Sequence, residues 1–201
     1  DWHWDRATYG RLLKVTGGKE RIAAWCGEIG HEMPPDQIAV LHADKTRHYT
    51  SMMAAGQIGL RPGIARIMAE ARARGVALAI ATTTSRANVE ALTRAVWGAT
   101  AREMFDVIAA GDEVVAKKPA PDVYELALRR LGITAAAALA FEDSRNGLIA
   151  ARGAGLRTIV TPSVYTAGED FDGAFALLDN LGEFSPFASG KPAPGKAVPV
   201  P

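Results

Sequence analysis

The apolar positions of the chain repeat with a helical period from residue 5 to about residue 53, and the rhythm changes after Gly59. One apolar stripe has the spacing i, i+3, i+4 and i+7 of a helix face, and it consists of Ile22, Trp25, Cys26 and Ile29. After Pro34-Pro35 a second run continues with Ile38, Leu41 and Met52. The pattern therefore predicts a small all-helical unit in which Cys26 is buried.

Beyond Gly59 the pattern predicts a helix that begins at Pro62 and is closed by Gly75. Its buried stripe consists of Ile64, Ile67, Met68 and Ala71. Short strands then alternate with helices: we predict strands at 76–81, 105–109, 136–141 and 157–160, and helices at 86–97, 122–131 and 145–154. Strands that are apolar on both faces indicate an α/β fold, with a parallel sheet covered by helices on both sides.

The same pattern suggests three parts. We expect a helical unit at residues 1–59, an α/β unit at 60–181, and an irregular or disordered tail at 182–201 because that segment is rich in Pro, Gly and Ala. The apolar runs are shorter than the roughly 18 residues that cross a bilayer.

Composition limits the possible partners. The chain has 23 Lys+Arg and 22 Asp+Glu, a net charge of +1, so no overall positive field favours nucleic acid or a membrane. A single cysteine, Cys26, excludes an intrachain disulfide framework and fits a reducing compartment such as the cytoplasm. We therefore expect a cytoplasmic monomer that binds a small molecule.

Polar residues lie where three predicted strands give way to loops, and in parallel sheets ligands bind at that edge. The three strings are Thr82-Thr83-Thr84-Ser85, Lys117-Lys118-Pro119-Ala120-Pro121-Asp122 and Phe141-Glu142-Asp143-Ser144. A hydroxyl cluster, a lysine and two carboxylates are the groups needed to hold a phosphoryl group and its metal ion.

The adjacent carboxylates of Glu142 and Asp143 would repel each other unless a cation lies between them. Mg²⁺ commonly takes one or two carboxylates together with waters and phosphate oxygens, so these residues are candidate ligands. The alternative is that they are acidic residues at the start of the helix that Ser144 caps, where negative charge is favourable.

Lys118 precedes Pro119, which favours extended backbone at the lysine, and Pro121 can open the next helix. A lysine held this way can act as a point charge for a phosphoryl group, whereas Lys117 is expected to be solvated. The alternative for a Lys-Pro pair is a surface turn.

The run of hydroxyl residues from Thr82 to Ser85 connects a predicted strand to a predicted helix. Hydroxyls and free backbone N–H groups would point into one small volume and could hold a phosphate. The alternative is a threonine-rich strand end followed by Ser85 as a helix cap.

In order and spacing, these strings resemble motifs II, III and IV of the haloacid dehalogenase (HAD) superfamily. The resemblance extends over residues 5–181, and the strings that begin at Lys118 and Glu142 are specific to the sugar-phosphate phosphatase and β-phosphoglucomutase branch. Within it the chain resembles the CbbY type, which is associated with the Calvin cycle and the removal of xylulose 1,5-bisphosphate. The resemblance implies a Rossmann-like core with a helical cap inserted after the first strand, and residues up to about 59 would be most of that cap.

The resemblance also assigns roles in the core. Thr82 would hydrogen-bond the transferring phosphoryl group, with Thr83 and Thr84 beside it as substrate-binding residues. Lys118 would neutralise charge on the phosphoryl group and the nucleophile. Asp143 would bind Mg²⁺ directly, and Glu142 would bind or support it.

In the cap, the string Gly17-Gly18-Lys19-Glu20-Arg21 resembles the family's substrate-specificity loop. Lys19 and Arg21 would then bind a second phosphate or a sugar hydroxyl, and Lys45 lies near a cap lysine of the same group. The alternative for all three is a solvated helix face.

The family's motif I, two aspartates spaced by one residue after the first strand, is not found upstream of the cap in this sequence. Asp170-Phe171-Asp172-Gly173 copies its letters but follows a turn-prone segment, so we expect a surface loop there. The family mechanism forms an aspartyl phosphate, and we place the nucleophilic aspartate upstream of Asp1. The alternatives are a phosphomutase of the same fold, or a non-catalytic phosphate-binding protein that begins at Asp1.

Overall fold

The computed structural model describes residues 2–54 and 59–184 of the chain. Three helices come first: α1 (Arg6–Leu12), α2 (Gly18–Glu28) and α3 (Pro35–Ala54). Helices and strands then alternate as α4 (Ile64–Ala73), β1 (Ala79–Ala81), α5 (Arg86–Trp97), α6 (Ala101–Met104), β2 (Val107–Ala109), α7 (Asp122–Leu131), β3 (Leu139–Glu142), α8 (Arg145–Gly153), β4 (Arg157–Val160) and β5 (Ala176–Leu177).

All strand pairs in the described residues are parallel. β1 pairs with β2 in a two-stranded sheet, and β3, β4 and β5 form a three-stranded sheet in that order. Consecutive residues of β4 contact helices on opposite faces: Ile159 packs with Ile67 of α4, and Val160 packs with Leu148 of α8. The last two residues of β2 likewise contact α5 and α7. The predicted α/β fold with helices on both faces is confirmed.

The predicted helices at 86–97, 122–131 and 145–154 agree with α5, α7 and α8 to within one residue. Side chains that cap backbone N–H groups fix two of their starts, because Ser85 accepts from the amide of Asn88 and Ser144 accepts from that of Gly147. The short helix α6 and the strand β5 were not predicted.

β4 agrees with the predicted strand at 157–160, whereas the other three predicted strands begin two or three residues later than expected. The segment at 76–81 is a strand only from Ala79, since the Asp106 carboxylate accepts from the Leu78 amide at 2.8 Å and ends the ladder there. The segment at 136–141 begins with a 3₁₀ turn at Ala135–Ala137, so β3 starts at Leu139. Alanines suit both conformations, and the apolar pattern does not separate them.

The sequence suggested that the helix after Gly59 begins at Pro62, but the structure shows a later start. Gly63 is its N-cap with a φ of 87°, and α4 starts at Ile64. Gly63 packs so closely against the chain after β5 that a Cβ would lie 1.9 Å from the Leu181 carbonyl oxygen. This contact, distant in sequence, explains why the helix begins after the glycine.

The N-terminal helices pack on one another through Ile22, Cys26 and Ile38, with Trp4 and Met33 at the edge of the cluster. The predicted burial of Cys26 is therefore confirmed. Other members of the predicted stripes are exposed, among them Ile29, Leu41 and Met52. Ile29 lies outside the helix because α2 ends at Glu28.

The division at residue 59 and the boundary at 181 remain predictions. Residues 182–184 of the predicted tail have neither helix nor strand, and residues 185–201 lie outside the described residues. The predicted surface loop at Asp170-Phe171-Asp172-Gly173 lies before β5, with both aspartates exposed and Phe171 buried. Within the described ranges, none of the helices has the length and apolar character needed to cross a membrane.

Glu113 is the centre of a charged network beyond the end of β2. Its carboxylate accepts from the guanidinium groups of Arg86 and Arg130 and from the Ala110 amide, and both arginines also donate to the Ile108 carbonyl. These partners, Arg130 above all, lower the pKa of Glu113 to about 2 despite the opposing effect of burial. The network ties α5 and α7 to β2.

We expect Gly63→Ala to lower the free energy of unfolding by about 3 kcal/mol, because it combines an unfavourable positive φ with a backbone overlap. Gly27→Ala is the matched control in α2, where a Cβ meets nothing within 4 Å. We expect Gly27→Ala to raise the free energy of unfolding by about 0.5–1 kcal/mol, because alanine has the higher helix propensity. Urea unfolding measures both, and a Gly63→Ala loss below about 0.5 kcal/mol would contradict the described contact.

Glu113→Gln should reveal a pH-dependent contribution to stability. A carboxyl whose folded pKa is lowered stabilises the fold above its unfolded pKa near 4.5, and that contribution is lost as the pH falls toward 2. The shift corresponds to roughly 3 kcal/mol, and we expect about half because water reaches the charged groups. Urea unfolding should therefore show a deficit of about 1–2 kcal/mol at pH 6 that falls to roughly a quarter of that at pH 2.5, whereas the exposed Glu125→Gln should change little at either pH.

Candidate functional site

Lys118 joins the carboxyl ends of two strands from different sheets. Its ammonium group donates to the carbonyl of Ala81, the last residue of β1, at 2.9 Å, and to Oε1 of Glu142, the last residue of β3, at 2.5 Å. The lysine and glutamate side chains are only 11% and 7% exposed. The structure thus brings Lys118 and Glu142 together with the start of the loop at residues 82–85, which we call the threonine loop.

Glu142 Oε1 also accepts from the hydroxyl of Tyr124, a buried residue of α7. The ring of the same tyrosine lies below the ammonium of Lys118, with 4.8 Å between Nζ and the ring centroid. Burial, followed by the charge of Glu142, raises the pKa of Tyr124 well above its ordinary value. The phenol is therefore protonated at neutral pH and acts as a donor.

Asp143 follows Glu142 and leaves the strand toward solvent. Its side chain is exposed, yet the surrounding protein atoms partly desolvate it. This desolvation and the Glu142 carboxylate raise the pKa of Asp143, while the positive charges of Arg61 and Lys118 oppose the shift. Two adjacent carboxylates repel each other, so a cation at this position would be favourable.

The loop from Thr82 to Ser85 connects β1 to α5 and is held by the end of β2. The Thr82 amide donates to the Ala109 carbonyl at 3.0 Å, and the Gly111 amide donates to the Thr84 carbonyl at 2.8 Å. The two backbones are so close that a Cβ at Gly111 would lie 2.1 Å from the Thr83 carbonyl oxygen. A rigid loop at the strand edge follows from these contacts.

The threonine hydroxyls accept hydrogen bonds inside the loop. Thr82 Oγ1 accepts from the Thr84 amide at 3.2 Å, and Thr84 Oγ1 accepts from the Asn88 side chain at 2.8 Å. Since a hydroxyl both accepts and donates, each still has an O–H to offer to an anion. Ser85 serves as the helix cap that the sequence suggested as the alternative reading.

A cleft of about 660 Å³ separates this loop from the N-terminal helices. Five of the predicted site residues line it: Thr83, Thr84, Lys19, Arg21 and Lys45. The remaining four lie at the strand ends. Thr82 follows β1, Glu142 ends β3 and is followed by Asp143, and Lys118 lies on the loop between β2 and α7. The two groups adjoin through Thr82-Thr83 and Lys117-Lys118.

The basic residues on the helical wall of the cleft differ in their hydrogen bonds and in their exposure to water. Arg21 donates from Nε and Nη2 to the carbonyls of Leu12 and Val15, so it also fixes the end of α1. Lys45 reaches water, but partial burial and the charge of Arg21 lower its pKa. His42 packs against Gly18, and burial followed by the charge of Lys45 lowers the pKa of the imidazole.

The two walls are linked across the cleft by contacts that the sequence did not reveal. Lys117, which was expected to be solvated, forms an ion pair with Glu20 of α2 at 2.5 Å. The Thr16 hydroxyl donates to the Lys118 carbonyl. A further contact joins the same helical wall to α8 outside the cleft, where the Asn146 side chain donates to the Lys14 carbonyl at 3.0 Å. These contacts set the distance between the helical wall and the strand ends.

A larger cavity of about 880 Å³, between α1 and the loop before β5, contains none of the predicted residues. Two of its basic residues are paired with acids, Arg11 with Glu28 and Arg145 with Asp170. The hydroxyl, ammonium and carboxylate groups meet beside the smaller cleft, which makes it the candidate site.

Glu142 and Asp143 fit a Mg²⁺ site of the kind that takes few protein ligands. Across residues 2–54 and 59–184, no group of three or more His, Cys, Asp or Glu is arranged to hold a metal ion. Two carboxylates with waters and phosphate oxygens suffice for Mg²⁺, and a cation here would offset the Glu142 charge that, after desolvation, raises the pKa of Asp143.

Comparison with known protein families matches residues 2–155 to haloacid dehalogenase-like hydrolases. The protein CbbY of Cereibacter sphaeroides is 55% identical over 188 residues, which cover 94% of this chain and 82% of that protein.

Two crystal structures of CbbY from Rhodobacter sphaeroides are similar at 55% identity, and each match covers 91% of this chain and 81% of the other. One is a variant in complex with xylulose 1,5-bisphosphate, with a TM-score of 0.85, and the other is a complex with phosphate, with a TM-score of 0.86.

Lys118→Met should lower the free energy of unfolding by about 3 kcal/mol at pH 7, because it leaves the buried Glu142 carboxylate without its counter-charge. Adding Glu142→Gln should restore at least half of that loss. Arg47→Met, which breaks the exposed pair with Asp44, is the control and should cost less than about 0.5 kcal/mol. Urea unfolding of the wild type, of Lys118→Met and Glu142→Gln singly, and of the double variant gives the coupling free energy, and strictly additive losses for Lys118 and Glu142 would contradict the ion pair.

Proposed function

This chain belongs to the haloacid dehalogenase-like hydrolase family, and on that premise we propose that this phosphoric monoester hydrolase removes phosphate from a sugar bisphosphate in a Mg²⁺-dependent reaction. The observation that carries the proposal is the position of Lys118. Its ammonium lies between the ends of β1 and β3, beside both the threonine loop and the carboxylate pair. Anion-binding and cation-binding groups therefore share one site.

We assign the reacting phosphoryl group to the strand ends. The hydroxyl of Thr82 donates to its oxygens, and Lys118 offsets its negative charge. Asp143, with Glu142 behind it, would hold Mg²⁺, and the bound ion would offset further charge on the phosphoryl group. The raised pKa of Asp143 supports this role, because binding a cation would relieve the repulsion from Glu142.

The second phosphate and the sugar are assigned to the cleft. Lys19, Arg21 and Lys45 bring three positive charges to its helical wall, and Thr83 and Thr84 face them from the other wall. A pentulose bisphosphate carries an anionic group at each end, which matches a site with charge at both the strand ends and the cleft wall. The complex of the CbbY relative with xylulose 1,5-bisphosphate supports this substrate class.

We propose the two-step chemistry of the family for the full-length protein. An aspartate attacks phosphorus and displaces the sugar oxygen, which takes a proton from a second aspartate. Water activated by that second aspartate then attacks the aspartyl phosphate and releases inorganic phosphate. We place both aspartates in sequence that precedes Asp1. A place in the Calvin cycle and a cytoplasmic location remain predictions.

Asp143→Asn should reduce kcat/KM for release of phosphate from xylulose 1,5-bisphosphate about 100-fold or more in the full-length protein. The variant should fold as well as the wild type, since the neutral amide removes the repulsion from Glu142. Asp172→Asn, on the exposed loop whose letters copy motif I, is the matched control and should retain activity within about twofold.

Phosphate release and isomer formation are measured in the same reaction. Release of inorganic phosphate in proportion to substrate lost supports the hydrolase, whereas an isomeric bisphosphate without free phosphate would support a phosphomutase. Wild-type rates in Asp143→Asn would reject the assigned metal ligand, and a wild-type protein that binds phosphate without turnover would reject the proposed function.

A further inference from the structure

We infer that Tyr124 and Gly147 are positioning residues that hold the Glu142 carboxylate in one orientation for the metal ion. The inference rests on the proposed function, and it concerns two residues that neither the motifs nor the sequence pattern singled out. One acts through a hydroxyl donor and the other through the absence of a side chain.

The hydroxyl of Tyr124 and the ammonium of Lys118 converge on the same oxygen, Oε1 of Glu142. A single donor would leave the carboxylate free to rotate about its last bond. Two donors from different directions fix both the plane and the position of Oε1. Because Tyr124 is anchored in the core cluster of α7 with Val123 and Ala127, its hydroxyl has little freedom to follow a moving partner.

Gly147 limits the other oxygen. It lies in the first turn of α8, and a Cβ built there would be 1.9 Å from Glu142 Oε2 and 2.1 Å from the carboxyl carbon. The carboxylate therefore occupies the space that a side chain at position 147 would take. Glu142 cannot retreat from such a side chain without losing the donors on Oε1.

The ring and the hydroxyl of Tyr124 make different contacts. The ring lies 4.8 Å from Lys118 Nζ and contributes a cation–π interaction, whereas only the hydroxyl reaches Glu142. Removing the hydroxyl alone leaves the packing and the ring under Lys118 in place. The orientation of the carboxylate can thus be tested separately from the fold of α7.

Groups that hydrogen-bond a metal ligand from behind orient it, and their loss commonly weakens metal affinity 10- to 100-fold. We expect Tyr124→Phe to weaken Mg²⁺ binding about 10-fold, as measured by titration calorimetry of the full-length protein without substrate. In turnover, the Mg²⁺ concentration for half-maximal phosphate release should rise about 10-fold while kcat at saturating Mg²⁺ stays within about threefold. A residue with only a packing role would not produce this split.

Tyr165→Phe is the matched control, because it removes a hydroxyl from an exposed tyrosine that contacts the ring of Tyr9. It should bind Mg²⁺ within about twofold of the wild type. Gly147→Ala is the second variant, and it should weaken Mg²⁺ binding at least as much as Tyr124→Phe. It carries the test if Tyr124→Phe does not fold.

The outcomes separate this inference from the proposed function. Unchanged Mg²⁺ affinity in a folded Tyr124→Phe or Gly147→Ala protein, with Glu142→Gln weakened, overturns the inference and leaves the hydrolase assignment standing. Weakened Mg²⁺ affinity in both variants, with no phosphate released by the wild type, supports the inference and rejects the proposed function. A wild-type protein that binds no Mg²⁺ overturns the inference together with the metal assignment.

Discussion

The arrangement of the site depends on one buried ion pair, between the ammonium of Lys118 and the carboxylate of Glu142. Neither charge could remain in this environment without the other, since desolvation of an unpaired ion costs several kcal/mol. Lys118 also bonds to the last carbonyl of β1. Because β1 and β3 belong to separate sheets in the described residues, this lysine is a direct polar link between the two strand ends, in addition to the apolar core that packs against both. The threonine loop and Asp143 begin at the two strand ends that Lys118 links.

The order of helices and strands was accessible from sequence because apolar spacing and capping residues are local signals. Ser85 and Ser144 marked helix starts correctly for this reason. Contacts distant in sequence were not accessible. Gly63 begins its helix late because of the chain after β5, and β1 is short because the Asp106 side chain takes a ladder amide.

The same distinction applies to the candidate site. The motif strings located the hydroxyl, ammonium and carboxylate groups, and the structure places them at adjoining strand ends. Tyr124 left no sequence signal, because an aromatic residue on the inner face of a helix is ordinarily explained by packing alone. Lys117 resembled a solvated residue, and its partner Glu20 lies almost one hundred positions earlier, on the opposite wall of the cleft.

The backbone contact between Gly111 and Thr83 has a consequence for selectivity. The loops after β1 and β2 are in direct backbone contact, without intervening side chains. The spacing of the two hydrogen-bonded strands, about 4.8 Å, therefore sets the distance between the loops. Side-chain rearrangement cannot widen that wall. Discrimination among ligands of different length must therefore come from the opposite, helical wall, whose long basic side chains can change rotamer while the sheet edge keeps its dimensions.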